Sequence, residues 1–155
     1  MSGKRMVLYV EDDRNDAALV QRACHKARVS FELQIVTDGA QAMAYLNGAD
    51  VYSDRRHHPL PEMIILDLKM PGHNGFEVLQ WIRQQSQFKD LPVIIFSSSK
   101  QEGDMKRAYD TGATSYLVKP VDFDALIEMV KTINVHWLKT NQKAQAGPKP
   151  EQGNK

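Results

Sequence analysis

Residues 63–67 read MIILD, four apolar residues that run directly into an aspartate. Two further apolar runs stop in the same way: MVLYV at 6–10 precedes three acids, and YLV at 116–118 precedes a lysine. Continuous apolar runs of this length are typical of parallel strands that are buried on both faces of a sheet. Side chains just beyond the carboxyl ends of such strands meet at one edge of the sheet, where ligands bind. We therefore expect the charged residues after these runs to come together in a single site.

Strand-like and helix-like segments alternate along most of the chain. Strands are predicted at 6–10, 31–36, 63–66, 91–96 and 115–118. Helices are predicted at 15–28, 38–46, 76–85, 102–110 and from 122 onward, and a long polar connection spans 47–62. Because β-α-β crossovers are short and right-handed, this alternation predicts an α/β fold with a doubly wound, five-stranded parallel sheet. The strand order 2-1-3-4-5 is expected, since it places the acids after strands 1 and 3 at one crevice.

The composition is that of a single globular domain with balanced charge. The chain has 155 residues, with 20 Lys and Arg against 19 Asp and Glu and a net charge of +1. This balance indicates neither nucleic-acid binding nor a membrane protein, and the apolar stretch at the N-terminus is too short for a secretory signal. The one cysteine, Cys24, shares a helical apolar stripe with Ala17 and Val20, which predicts a buried and inert thiol. These features predict a cytoplasmic protein.

Acidic residues dominate the predicted crevice. Glu11, Asp12 and Asp67 would repel one another there by on the order of a few kcal/mol per pair. Lys119 supplies one compensating positive charge, and a hard divalent cation such as Mg²⁺ supplies two. Asp67 stands alone at its strand end and is the expected nucleophile toward a phosphoryl group, while Glu11 and Asp12 are the expected metal ligands. The hydroxyl of Ser97, at the end of strand 4, is placed to hydrogen-bond a phosphoryl oxygen.

Motifs at four places of the chain occur in the order and spacing of a known family. They are VEDD at 10–13, ILDLKMPGHNG at 65–75, PVIIFSSS at 92–99 and SYLVKP at 115–120. With them, nearly all of residues 5–138 resembles the receiver domain of two-component response regulators, whose fold is flavodoxin-like. Each motif alone is weak, because an apolar run that ends in Asp is common.

The resemblance implies a role for each matching residue. Asp67 would be the phosphoacceptor, and Mg²⁺ would be bound by Asp67, Glu11, Asp12 and the backbone carbonyl of Lys69. Lys119 would contact the phosphoryl group. The residues implied in the conformational response are the switch hydroxyl of Ser97, the switch ring of Tyr116, and Pro120, which would follow a cis peptide bond.

The resemblance also implies a function and a partner. It predicts a response regulator that accepts a phosphoryl group from a sensor histidine kinase on Asp67 and then changes its protein-binding face. Such a protein is not an enzyme, since it assists only its own phosphorylation and dephosphorylation. The long 47–62 connection, PVDFDAL at 120–126 and HWL at 136–138 are similar to the small single-domain regulators that pair with bacterial phytochrome-type histidine kinases.

The domain boundaries follow from composition. Residues 1–138 are expected to form the receiver domain, and 139–155 a flexible tail, because the tail has no apolar residue beyond alanine. No output domain follows, so the output is expected to be a protein contact. Helix 4, strand 5 and helix 5 form the expected homodimer face. Trp137 and Leu138 fit either a dimer contact or the protein's own core.

Two other functional classes share parts of the pattern. A phosphatase of the haloacid-dehalogenase type also forms an aspartyl phosphate. That class carries a DxD motif at its nucleophile, whereas DLK at 67–69 of this chain has no second acid. A phosphorylation-independent adaptor is the other alternative, although degenerate receivers of that kind usually lack an acid or the lysine. The remaining polar features are expected to be structural. They are a solvated loop at His57 and His58 and helix caps at Asp13 and Asp16, and Asp13 also lies near enough to add charge to the metal site.

Overall fold

The computed structural model describes residues 5–70, 72 and 74–139. Its five parallel strands lie in the order β2-β1-β3-β4-β5, so the predicted fold and strand order are confirmed. The strands are β1 (Arg5–Val10), β2 (Phe31–Val36), β3 (Met63–Leu66), β4 (Val93–Ser97) and β5 (Ser115–Val118). The α-helices are α1 (Arg14–Ala27), α2 (Gly39–Asn47), α3 (Gly75–Gln84), α4 (Glu102–Thr111) and α5 (Phe123–Ile133). Short 3₁₀ helices at Asp50–Ser53 and Ser86–Phe88 and a π-helical segment at Asn134–Lys139 complete the described part.

Each face of the sheet is covered by its own hydrophobic core. Along β1, Leu8 and Val10 belong to one core and Val7 and Tyr9 to the other, and none of these side chains is exposed. Helices α2, α3 and α4 pack on the first face, and α1 and α5 pack on the second. Because successive residues of a strand point to opposite faces, a strand buried on both faces is a continuous apolar run. The runs at 6–10 and 63–66 therefore identify the central strands.

The turn that follows β3 is fixed by a glycine. The N–H of Gly75 donates to the carbonyl oxygen of Leu68 at 2.9 Å, and a Cβ atom at this position would overlap the backbone carbonyl of Asp67. Asn74 caps α3, since its side chain accepts the N–H of Glu77 while the Glu77 side chain accepts the N–H of Asn74. Helix α3 therefore begins directly against the turn and fixes the backbone of Asp67.

The connection between α2 and β3 is packed against α2, although its polar composition predicts no such packing. The guanidinium of Arg55 donates to two carbonyl oxygens in the last turns of α2, at 2.8 and 3.0 Å. His58 packs edge-on against the rings of Tyr45 and Tyr52. The prediction of a solvated loop is therefore wrong for His58, because these rings give it an apolar surface to cover. His57 is exposed, as predicted.

Helix α5 completes the second core. Its residues Leu126, Val130 and Ile133 are buried, as their spacing predicts. Cys24 is buried in the same core, also as predicted, and burial raises the pKa of its thiol to about 12. The side chains of Trp137 and Leu138 and the whole of 140–155, most of the predicted tail, lie outside the described residues. Within the described ranges, no helix has both the length and the apolar character needed to cross a bilayer.

Candidate functional site

The predicted acids meet at the carboxyl edge of the sheet. Carboxylate oxygens of Glu11, Asp12 and Asp67 lie within 4.8 Å of one another. Glu11 and Asp67 are 1% and 5% exposed, whereas Asp12 is open to solvent. A set of oxygen ligands that is partly open to water suits a hard divalent cation, which keeps some of its own waters. The geometry is therefore that of a divalent-metal site.

Backbone hydrogen bonds hold two of these acids in place. The N–H of Glu11 donates to the carbonyl of Val36 at 3.0 Å, and the N–H of Asp67 donates to the carbonyl of Val10 at 3.2 Å. Each bond extends the strand pairing by one residue beyond the strand end. Asp13 then begins α1 by accepting two N–H groups of its first turn, so the predicted cap is confirmed there. The acids consequently project from rigid backbone.

Lys119 connects the acidic side chains. Its ammonium donates to Glu11 Oε1, Asp16 Oδ2 and Asp67 Oδ2 at 2.7, 2.8 and 3.3 Å. The lysine side chain is only 15% exposed, so water and salt screen these pairs weakly. Lys119 therefore compensates the acids as predicted, and its longest contact is the one to the predicted phosphoacceptor.

Asp16 belongs to the site, although the sequence predicts only a helix cap at this position. It was expected to cap α1, but Asp13 is the cap, and the Asp16 side chain contacts Lys119 instead. Helical side chains point back toward the N-terminus of their helix. An acid in the first turn of a helix that begins at a site can therefore reach into that site. This position in α1 is the signal that could have identified Asp16.

Burial controls the ionisation of the site. It raises the pKa of Glu11 to about 7, although the hydrogen bond from Lys119 acts in the opposite direction. Burial disfavours the charged form of Lys119, but hydrogen bonds with Asp16 and Glu11 raise its pKa overall. Burial and the carboxylate of Glu11 also raise the pKa of Tyr9, whose hydroxyl donates to Glu11 at 3.0 Å. The site thus opposes full ionisation of Glu11 and strongly favours the charged lysine.

Ser97 and Tyr116 are connected through the loop that follows β4. Ser97 is fully buried at the end of β4, and its hydroxyl oxygen accepts the N–H of Ser99 at 3.1 Å. Tyr116 is 9% exposed, and its hydroxyl donates to the carbonyl of Ser99 at 2.9 Å. The N–H of Lys119 donates to the carbonyl of Ser97 at 2.8 Å, which places the ends of β4 and β5 side by side. The predicted switch residues therefore share one hydrogen-bonded loop beside the acids.

Two predictions from the resemblance concern backbone groups. Lys69 is exposed, and its N–H donates to Asp67 Oδ1 at an N–O distance of 3.4 Å. The metal role of its carbonyl stays a prediction. The cis peptide bond predicted before Pro120 is wrong, since the described residues contain no cis peptide bond. The bond preceding a proline favours the trans form by about 0.5 to 1 kcal/mol.

Known proteins share this sequence pattern and this fold. The family model "Response regulator receiver domain" matches residues 7–131. Response regulator Rcp1 of Synechocystis is 35% identical over 136 residues, covering 88% of this chain and 90% of Rcp1. A crystal structure of its Mn(2+)-bound form matches 88% of this chain and 96% of that chain, with a TM-score of 0.77 and 35% identity.

Two further solved structures are similar over nearly their whole length. The phosphorylated cyanobacterial phytochrome response regulator RcpA has a TM-score of 0.81 and 34% identity, with coverage of 89% of this chain and 96% of that chain. RPA3017, a response regulator in red light signaling of R. palustris, has a TM-score of 0.84 and 30% identity, with coverage of 96% and 99%. Since the family model spans most of the chain and the motif residues converge on one site, the chain belongs to the response regulator receiver domain family.

Proposed function

We propose that this receiver is a phosphorylatable switch in which Asp67 accepts a phosphoryl group from a sensor histidine kinase. One observation carries this assignment: the Asp67 carboxylate is 5% exposed, lies among the acids of the site and is 3.3 Å from the ammonium of Lys119. Receiver domains as a family interact with sensor histidine kinases and are phosphorylated on an aspartate. Asp67 is the carboxylate of this chain that fits that role.

The transfer step forms one bond and breaks another. A carboxylate oxygen of Asp67 bonds to the phosphorus of a phosphohistidine on the kinase, and the bond between phosphorus and the imidazole nitrogen breaks. The imidazole keeps the electron pair of that bond and takes up a proton from solvent. Lys119 compensates the charge of the phosphoryl oxygens, and the Ser97 hydroxyl donates a hydrogen bond to one of them. The protein has no further enzymatic role in this proposal.

Mg²⁺ is the cation that we assign to the site. Glu11, Asp12, Asp67 and the carbonyl of Lys69 would hold it. The fit is supported by the carboxylate oxygens that lie within 4.8 Å of one another and by the Mn(2+)-bound form of the relative Rcp1. An all-oxygen donor set favours Mg²⁺ over the metals that prefer nitrogen or sulfur. When bound, such a cation neutralises charge on the phosphoryl oxygens during transfer.

The output is assigned to the face formed by α4, β5 and α5. Ser97 and Tyr116 adjoin this face and are joined by the loop at Ser99. A new phosphoryl group on Asp67 would draw the Ser97 hydroxyl toward it, and Tyr116 would follow. A bias of a few kcal/mol between two arrangements is enough to invert their populations. The proposed consequence is a homodimer through this face.

Two relatives support the choice of partner. RcpA is described as a phytochrome response regulator, and RPA3017 acts in red light signaling. A phytochrome-type histidine kinase is therefore the proposed partner, in the cytoplasm and without nucleic acid or membrane as a ligand. Residues 1–138 are proposed as the receiver and 139–155 as a flexible tail.

The test is the intact mass of the protein after incubation with acetyl phosphate, with and without Mg²⁺. We expect the mass of one phosphoryl group to be added only with Mg²⁺, to be absent in Asp67→Asn and to persist in Asp110→Asn, a matched change of an exposed acid on α4. A wild-type protein that gains no mass would contradict the proposal and indicate the phosphorylation-independent adaptor. Catalytic hydrolysis of a phosphate monoester such as p-nitrophenyl phosphate, lost in Asp67→Asn, would indicate the phosphatase.

A further inference from the structure

The loop between β4 and α4 is organised by one side chain. The Ser99 hydroxyl donates to Asp104 Oδ2 at 2.6 Å and accepts the N–H of Gln101 at 3.3 Å. Gln101 occupies the N-cap position of α4, but its own side chain makes no capping hydrogen bond. The Ser99 hydroxyl therefore caps the start of α4 by accepting the N–H of Gln101, two residues further along the chain. The same hydroxyl also binds Asp104, an acid in the first turn of the helix.

The backbone of Ser99 contacts both switch residues. Its N–H donates to the hydroxyl oxygen of Ser97 at 3.1 Å, and its carbonyl accepts the hydroxyl of Tyr116 at 2.9 Å. Ser99 is 7% exposed, so these groups have little access to water as alternative partners. The position of this single residue thus determines where the Tyr116 hydroxyl finds its acceptor.

Helix α4 holds Tyr116 from a second point. The N–H of Tyr116 donates to the hydroxyl of Tyr109, which lies near the end of α4, at 3.0 Å. The start of the helix reaches the same tyrosine through Asp104 and Ser99. A shift of the first turn of α4 must therefore move the acceptor of the Tyr116 hydroxyl, while Tyr109 keeps the backbone of β5 in place.

We infer that Ser99 and Asp104 act as a latch that holds the Tyr116 ring inward and so sets the bias of the switch. Both are positioning residues, because they act on Tyr116 through the loop and touch no reacting atom. Hydrogen bonds to a charged group are stronger than neutral ones, and a buried hydroxyl without its acceptor is costly. Without the hydrogen bond between Ser99 and Asp104, the Ser99 carbonyl is no longer held in position to accept the Tyr116 hydroxyl. The Tyr116 ring can then turn outward. The inference rests on the proposed switch function.

The experiment measures the orientation of Tyr116 in the full, unphosphorylated chain. The chain contains five tyrosines, so labelling with 3-fluorotyrosine gives a short ¹⁹F NMR spectrum, in which Tyr116→Phe assigns the resonance of Tyr116. The shift of that resonance between H₂O and D₂O reports how exposed the ring is. We expect Ser99→Ala and Asp104→Ala each to move the ratio of inward to outward ring about tenfold toward outward, which equals about 1.4 kcal/mol.

Three comparisons separate the latch from a general structural effect. Asp110→Ala, on the exposed side of α4, and Ser99→Thr, which keeps the hydroxyl, are expected to leave the Tyr116 resonance unchanged. The double variant of Ser99→Ala and Asp104→Ala is expected to show no more than either change alone. A shielded Tyr116 in both single variants, or an exposed one in Asp110→Ala, would overturn the latch. The other four fluorotyrosine resonances report whether each variant is folded.

The two proposals fail in different ways. The mass assay with acetyl phosphate is run on the same samples, so a wild-type protein that gains no phosphoryl group refutes the switch function. The orientation of Tyr116 is read before any phosphoryl group is added, so an exposed ring in Ser99→Ala still supports the latch in that case.

Discussion

Lys119 is the side chain that allows the buried acids of the site to lie together. Its ammonium is shared by Glu11, Asp16 and Asp67. We expect Lys119→Met, which keeps the length but removes the charge, to lower the free energy of unfolding by about 3 to 5 kcal/mol at neutral pH, since it leaves buried carboxylates unpaired. Urea unfolding followed by circular dichroism measures this change.

The matched control is Lys106→Met. Lys106 pairs with Asp110 at 3.0 Å on the exposed surface of α4, and such pairs contribute about 0 to 1 kcal/mol. Equal losses in the two variants would show that burial of Lys119 adds nothing to the strength of its ion pairs.

Glu11 makes the stability depend on pH. Burial raises the pKa of its carboxyl from 4.5 to about 7, so between these values the folded protein binds a proton that the unfolded chain does not. The contribution of Glu11 to the free energy of unfolding is therefore largest at low pH and falls as the pH rises through this window. Glu11→Gln has no titrating carboxyl at this position, so it takes up no such proton on folding. Its stability relative to wild type should rise by up to about 1.4 kcal/mol per pH unit across the window.

Urea unfolding at a series of pH values tests the sign of this effect. Glu128→Gln, an equivalent change on the exposed surface of α5, should follow the wild-type protein throughout. A difference between Glu11→Gln and wild type that stays constant across the window would contradict the prediction.

The sequence predicts the residues of the site that adjoin strand ends. Glu11, Asp67 and Lys119 follow buried apolar runs directly, so the topology alone brings them together. The contacts of Asp16 with Lys119 and of Ser99 with Asp104 were not predicted, because they depend on which neighbour a side chain reaches after the helices have packed. For Asp16, a local signal is its place in the first turn of a helix that begins at the site.

For helices and strands, too, local features are predictable from the sequence, whereas contacts between distant residues are not. Every predicted strand and helix is present, with bounds shifted by two residues or fewer except at the end of α5, which ends at Ile133 and continues as a π-helical segment. The agreement follows because apolar periodicity, caps and glycines act locally. The connection at 47–62 is predicted only as a long polar segment, with a solvated loop at His57 and His58. Its polar composition predicts neither the 3₁₀ turn at Asp50–Ser53 nor the packing of Arg55 and His58 against α2. Both depend on contacts between residues far apart in the segment.

Arg55 attaches this connection to the end of α2. Its guanidinium donates to the carbonyls of Tyr45, Leu46 and His58 at 2.8, 3.0 and 3.1 Å. These carbonyls include helix-end groups that would otherwise lack partners. We expect Arg55→Ala to lower the free energy of unfolding by about 2 kcal/mol, because hydrogen bonds from a charged donor contribute about 1.5 to 3 kcal/mol.

Arg56 gives a control of the same residue type at the next position. Its side chain is 91% exposed, so Arg56→Ala should change the free energy of unfolding by less than about 0.5 kcal/mol. Chemical denaturation of both variants measures the difference. Indistinguishable midpoints would mean that the packed connection does not contribute to global stability.

The edge strand β5 lies at the centre of the face that we propose as the output surface. Helix α4 packs on one face of the sheet and α5 on the other, and β5 lies between them as the outermost strand. A cavity of about 520 Å³ opens there, lined by residues of β5 and α5 that include Leu117, Ala125 and Met129. The loop that joins Ser97 to Tyr116 adjoins the same surface. A rearrangement at the phosphoryl site would thereby reach the surface that we propose for dimerisation.

This surface predicts that dimerisation depends on phosphorylation. Light scattering after size-exclusion chromatography should show more dimer in protein treated with acetyl phosphate and Mg²⁺ than in untreated protein. Ala125 is exposed on α5, so Ala125→Glu adds a charge to the surface without disturbing the core, and burying that unpaired charge should weaken the dimer at least about tenfold. Ala40→Glu, at an exposed position on α2, is the matched control and should dimerise like wild type. A treated dimer that survives Ala125→Glu but is lost in Ala40→Glu would place the interface on the opposite side of the molecule.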